Sequence, residues 1–166
     1  MVVDANGAEA WADRLAALAR DTRPGGPEAQ AAAKALQAEA IAAHADADYV
    51  ASRDLYALLL AFVTHAFPDD AQSEAAVRSD LGATSLEIGP LDVAYEHVKE
   101  ANRLLASMAA PPARMRVRLL TVLSAAAFAN DHVAEALEAA DAAEQIAMEL
   151  GAEDERWPAA TARAQA

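Results

Sequence analysis

The sequence predicts an all-α protein built as a stack of helical hairpins, and three observations carry that reading. Alanine fills 49 of the 166 positions, and it has the highest intrinsic helix propensity with almost no side-chain entropy to lose. Only six glycines and seven prolines interrupt the chain. The third observation is a hidden period: Pro27-Glu28, Pro68-Asp69-Asp70 and Pro111-Pro112 recur about 41 and 43 residues apart. Proline suits the first turn of a helix, where its missing N–H is not needed, so the three sites read as equivalent helix starts.

At a shift of about 42 residues five apolar columns align: Tyr49/Leu91/Val133, Tyr56/Val98/Ala140, Leu59/Ala101/Ala143, Phe62/Leu104/Ile146 and Ala66/Met108/Leu150. Their spacing of three, four or seven within each copy puts them on one helix face. Taken in order, a leading helix over about 8–21, with Trp11, Leu15 and Leu18 on one face, covers the start. The first repeat opens with a helix over 28–47, the second with one over 72–88 (Val77, Leu81, Ser85) and the third with one over 114–130 (Leu119, Leu120, Leu123, Ala127). Glu39 falls where Leu81 and Leu123 stand, so the first copy matches least. Gly89-Pro90 is a helix stop. Asp48, Pro90-Leu91-Asp92 and Asp131 mark the starts of the second helices. A trailing helix over about 153–163 closes the stack, as an open array needs covered ends. The chain is therefore expected to be one domain, with an N-terminal cap (1–26), three repeats (27–67, 68–110, 111–151) and a C-terminal cap (152–166).

The residues resemble the tetratricopeptide-repeat (TPR) superfamily. In the second repeat Leu81-Gly82, Gly89, Ala94 and Ala101 stand at the intervals of the TPR signature. The third keeps Leu123, Ala136 and Ala143, with Ser124 and Asp131 in the glycine columns, and the first keeps Tyr49 at the turn with Ser52 and Leu59 in the small-residue columns. The period exceeds the usual ~34 and is similar to the long repeats in ligand-sensing parts of large bacterial transcription activators. The resemblance implies a right-handed α–α superhelix of about three hairpins. It also implies a non-enzymatic adaptor that binds a protein or peptide on a concave face lined by the first helix of each repeat. Carried over by column, that face presents Lys34, Gln37, Ile41 and His44, then Ser79, Ala83 and Leu86, then Arg118, Thr121, Ala125 and Phe128. The lysine and asparagine set of chaperone-tail clamps is missing, with Gln37 and Ile41 at two of its places.

A net charge of −13 opposes binding to phosphate backbones and anionic lipid, so neither nucleic acid nor membrane is an expected partner. The N-terminus has no basic segment followed by an apolar run, and the longest apolar stretch, 55–66, is shorter than the ~20 residues a bilayer needs. A cytoplasmic protein is expected, with self-association left open by the apolar ends of a short array. Zero cysteines exclude thiolate zinc sites, iron–sulfur clusters and thiol catalysis.

Within 101–130 there is no carboxylate, while Arg103, Arg114, Arg116 and Arg118 all fall there. Arg114 and Arg118 lie one turn apart near a helix N-terminus and could grip an acidic group on the partner. The competing reading pairs these arginines with the acidic band Glu135, Glu138, Asp141 and Glu144 on the next helix. His44, His65, His97 and His132 fall in four different columns, so no metal site and no cofactor is expected. Glu135/Glu138 and Glu96/Glu100 read as solvated faces instead of magnesium ligands. No GxSxG, P-loop or GxGxxG occurs. Tyr56, Tyr95 and Trp11 read as core. The second functional reading is a small-molecule sensor using the same groove, and the third is an all-α metal-dependent hydrolase.

Overall fold

The computed structural model describes residues 13–14, 16–20 and 22–151, and every regular element among them is helical. Residues 13–14 and 16–20 are helical, and six complete helices follow: α1 Pro27–Ala45, α2 Tyr49–Ala66, α3 Ala71–Ile88, α4 Leu91–Ala106, α5 Ala113–Ala129 and α6 Val133–Leu150. None of the described helices is long and apolar enough to cross a membrane. Trp11, Leu15, Trp157 and the expected trailing helix lie outside the described residues. The chain divides into two compact units, Met1–Asp70 and Ala71–Ala166.

In the first unit α1 packs against α2. Gly26 is the extended N-cap of α1, Pro27 opens its first turn and Glu28 adds an acid beside the positive helix end. The Asp48 carboxylate accepts the Ala51 N–H at 3.1 Å and caps α2. The apolar run 55–66 is a buried helix face, with Leu55, Tyr56, Leu58, Leu59, Phe62, Val63 and Ala66 withdrawn from solvent. Glu39 departs from the leucine column because it faces the leading helix instead of a core: its carboxylate meets Arg14 at 2.7 Å.

In the second unit α3 packs on α4, α5 on α6, α4 on α5, and α3 also touches α5. One apolar cluster runs through all four helices, from Ala75 on α3 through Val98 and Leu105 on α4 and Leu119 and Leu123 on α5 to Ala143 and Ile146 on α6.

The 42-residue period is written into the geometry of the three hairpins. Facing small residues stand at each helix crossing: Ala40 and Ser52, Gly82 and Ala94, Ser124 and Ala136, all buried. In the first hairpin the Ser52 hydroxyl donates to the Ala40 carbonyl at 2.9 Å, and in the third the Ser124 hydroxyl donates to the Ala136 carbonyl at 2.8 Å, in the opposite direction between the helices. In the second there is no side chain at Gly82, because a Cβ there would lie 2.3 Å from the Val98 Cγ2 and 3.1 Å from the Ala94 carbonyl oxygen. The turn residues match too, with left-handed φ values of 60° at Ala47, 72° at Gly89 and 62° at Asp131. In the first and third turns the N–H groups of Asp48 and His132 reach back to the Ala43 and Ala127 carbonyls, each at 2.9 Å, while Ala47 and Asp131 donate to His44 and Phe128. These are Schellman closures. Pro90 has no N–H, so the second turn lacks that outer bond and closes through Gly89 N–H to the Ser85 carbonyl at 2.8 Å.

Several expectations are corrected. Only Pro27 lies in the first turn of a helix; Pro68 lies in the turn before α3, and Pro112 is the N-cap of α5. The Tyr49/Leu91/Val133 column is not core: these are the first residues of α2, α4 and α6, past the overlap of the hairpins, and Leu91 and Val133 are 40% and 42% exposed. The Ala66/Met108/Leu150 column is buried only at Ala66, because α4 ends at Ala106 and Leu150 is the last residue of α6. Tyr56/Val98/Ala140 and Leu59/Ala101/Ala143 are buried in all three copies.

Candidate binding face

Each first helix carries its candidate residues at a spacing of four and three, which places them on one face. On α3 these are Ser79, Ala83 and Leu86; on α5, 42 residues later, they are Thr121, Ala125 and Phe128. Because α3 touches α5, the second unit brings the two triplets onto neighbouring helices. Ala83, Leu86, Thr121 and Ala125 are half-buried, and Phe128 is exposed. Leu86 packs against the core cluster with its remaining surface outward. Ser79 is buried, so it is closed to a ligand in this conformation. The Thr121 hydroxyl donates to the Val117 carbonyl at 2.9 Å, one turn back, which leaves its methyl as the outward feature.

At the N-terminal end of α5, Arg114, Arg116 and Arg118 are exposed. Arg118 pairs with Asp80 of α3, a nearly buried carboxylate, while most of its own side chain remains in solvent. For Arg118 the partner is therefore an acid on the preceding first helix. Sequence reasoning missed Asp80, although the signal was present: Asp80 and Arg118 are 38 residues apart, one helical turn short of the period. Two further ties join the second and third hairpins, between residues 40 and 39 apart. The Tyr95 hydroxyl donates to Glu135, and the Asn130 side-chain amide donates to the Leu91 carbonyl at 3.0 Å. Arg103 pairs locally with Glu100 at 2.6 Å, and its guanidinium holds the Glu100 carboxyl below the usual carboxylate range.

The first unit presents its own set on α1, where Lys34, Ile41 and His44 are exposed and Gln37 is half-buried. Ile41 is 53% exposed, and the His44 ring meets the Tyr49 ring edge-on at 5.1 Å. A shallow, open depression of about 420 Å³ in this unit lies away from these residues, lined by Pro24, Gly25, Ala66, Phe67, Pro68, Asp69 and Asp70.

The remaining histidines have separate surroundings. His65 is exposed. His97 on α4 is half-buried, and burial, with the Arg78 charge, pushes its pKa below the usual histidine value. His132 stacks on Tyr95 at 4.9 Å. Among the described residues no three His, Asp or Glu side chains gather into a set that could hold a metal ion. Tyr56 and Tyr95 are buried, in agreement with their reading as core. No protein-family model matches the chain, and no curated protein matches it.

Proposed function

We propose that the chain is a TPR-like adaptor whose first-helix face in the Ala71–Ala166 unit binds a peptide or a partner helix. The observation that carries this reading is the alignment of Ala83 with Ala125 and of Leu86 with Phe128 on two touching helices. We read the small side chains of Ala83 and Ala125 as leaving room for a shallow channel, with the larger Leu86 and Phe128 as an apolar wall at its end. The packing order of α3 on α4, α4 on α5 and α3 on α5 supports a stack of the TPR kind. So do the three small-residue crossings. Arg114, with the solvent-facing part of Arg118, supplies cationic contacts at the other end of the channel, suited to an acidic group on the ligand.

A displayed peptide library selected on the intact protein tests the proposal. Selected peptides should bind in fluorescence anisotropy and lose about tenfold or more in affinity against a combined Ala125→Gln, Phe128→Ser variant, the loss expected when an interface centre is filled and its aromatic anchor removed. Selected peptides that bind this variant as tightly as the parent would overturn the reading.

A further inference from the structure

We infer that the hairpin tips of the Ala71–Ala166 unit form a second docking surface, beyond the Leu86 and Phe128 end of the channel, for a cationic apolar segment of a partner protein. The α3–α4 and α5–α6 turns lie side by side, joined by the Asn130 amide on the Leu91 carbonyl at 3.0 Å and by the stacking of His132 on Tyr95 at 4.9 Å. Three large apolar side chains project from this edge: Ile88, Leu91 and Val133, which are 36%, 40% and 42% exposed. The period predicts core positions for Leu91 and Val133, yet both stand at the first residue of their helices and are exposed. Exposed Glu87, Asp92 and Asp131 stand within one residue or two of them in the chain.

The charge around the edge selects the occupant. The arginines of α5 are at its opposite end, and Lys99 lies two turns along α4, held over the Tyr95 ring at 5.1 Å. An apolar surface rimmed by carboxylates attracts a segment that offers aliphatic side chains together with lysine or arginine, and it repels nucleic acid and anionic lipid. Exposed leucine and valine with acids beside them in the chain suit an interface in which burial supplies affinity and charge supplies register.

The probe is a short fluorescein-labelled amphipathic peptide of leucine and lysine, titrated into the full chain and followed by anisotropy and by amide NMR spectra. Binding should weaken with added salt, and the amide shifts should centre on Gly89, Asn130 and Asp131. A Leu91→Gln, Val133→Gln variant, altered only at exposed helix starts, should bind about tenfold more weakly. Joint Asp92→Asn and Asp131→Asn substitution should weaken binding by about threefold or more. Ala125→Gln, which fills the channel, should leave binding unchanged, so failure of the channel proposal and failure of this one are distinguishable. Oligolysine binding as tightly as the leucine-containing peptide, a double glutamine variant that binds like the parent, or no binding of the probe would each overturn the proposal.

Discussion

In the Met1–Asp70 unit the hairpin crosses at Ala40 and Ser52, and a hydroxyl bridges the two helices; in the Ala71–Ala166 unit the equivalent crossing of α3 and α4 has Gly82 against Ala94 and Val98, with no room for a Cβ. The frame is the same, with left-handed turn residues and crossing pairs in the same columns, but the second unit adds ties between successive hairpins. Arg118 reaches Asp80, Tyr95 reaches Glu135, and Asn130 reaches the Leu91 carbonyl. The difference teaches that the repeat specifies each hairpin through small residues at the crossing, whereas within the second unit the two hairpins are joined by a shared apolar cluster to which these polar pairs add.

The largest expected effect concerns the first unit. Phe62 is fully buried on α2, and Phe62→Ala should lower stability by about 3–5 kcal/mol in chemical denaturation. Amide exchange should accelerate more over 27–66 than over 71–150. The two crossings should then respond in opposite ways to the same methyl group. Gly82→Ala gains up to about 1 kcal/mol in helix propensity but drives a Cβ into Val98, and a net loss of about 1–3 kcal/mol is expected from the overpacking. Ala40→Gly should instead lose only about 1 kcal/mol. A Gly82→Ala protein as stable as the parent would break the comparison.

How much of this was legible in the sequence follows from what repeats. The hairpin boundaries came through because Gly82 and Ala94 stand where steric contact at the crossing demands small residues and Gly89 stands at a left-handed turn, and the six complete helices begin and end within about two residues of the expected places. The crossing of the first hairpin was half-legible: Ser52 was in its column, but Glu39 hid the neighbouring Ala40, since that turn of α1 answers to Arg14 as well as to α2. Burial was misread at Leu91 and Val133 because periodicity reports the face of a helix and not how far along it the neighbour extends. Asp80 was missed because its pairing with Arg118 falls one turn short of the period, outside the apolar columns that were aligned. The candidate face was placed by column; that Ser79 is closed while Phe128 is open depends on packing depth, which the columns do not encode.

Smaller effects sharpen the comparison further. Ser52→Ala and Ser124→Ala should each lose about 1 kcal/mol, since each removes one buried hydroxyl donor from a carbonyl across the hairpin. Ser85→Ala should lose less, because that hydroxyl bonds to Leu81 within its own helix at 2.7 Å and bridges nothing. Thermal melts of the three variants in one buffer make the check. The tie between the second and third hairpins is visible in pH. The hydrogen bond to Glu135, then burial, raises the Tyr95 pKa to about 12 from an ordinary 10.0. Because the folded state keeps the phenol protonated longer than the unfolded chain does, this contribution is complete below pH 10 and is lost as pH rises towards 12. Tyr95→Phe should flatten the stability profile in that window, and ultraviolet titration should show one tyrosine ionising after the others.

The central claim is that three hairpins of one 42-residue repeat cross at Ala40/Ser52, Gly82/Ala94 and Ser124/Ala136. A carbon-edited nuclear Overhauser spectrum of the labelled protein tests it most directly. The account predicts cross-peaks from the Ala40 methyl to Ser52, from the Gly82 α-protons to the Val98 methyls, and from Ser124 to the Ala136 methyl. Their absence, with cross-peaks instead to residues one turn away on the facing helix, would contradict it.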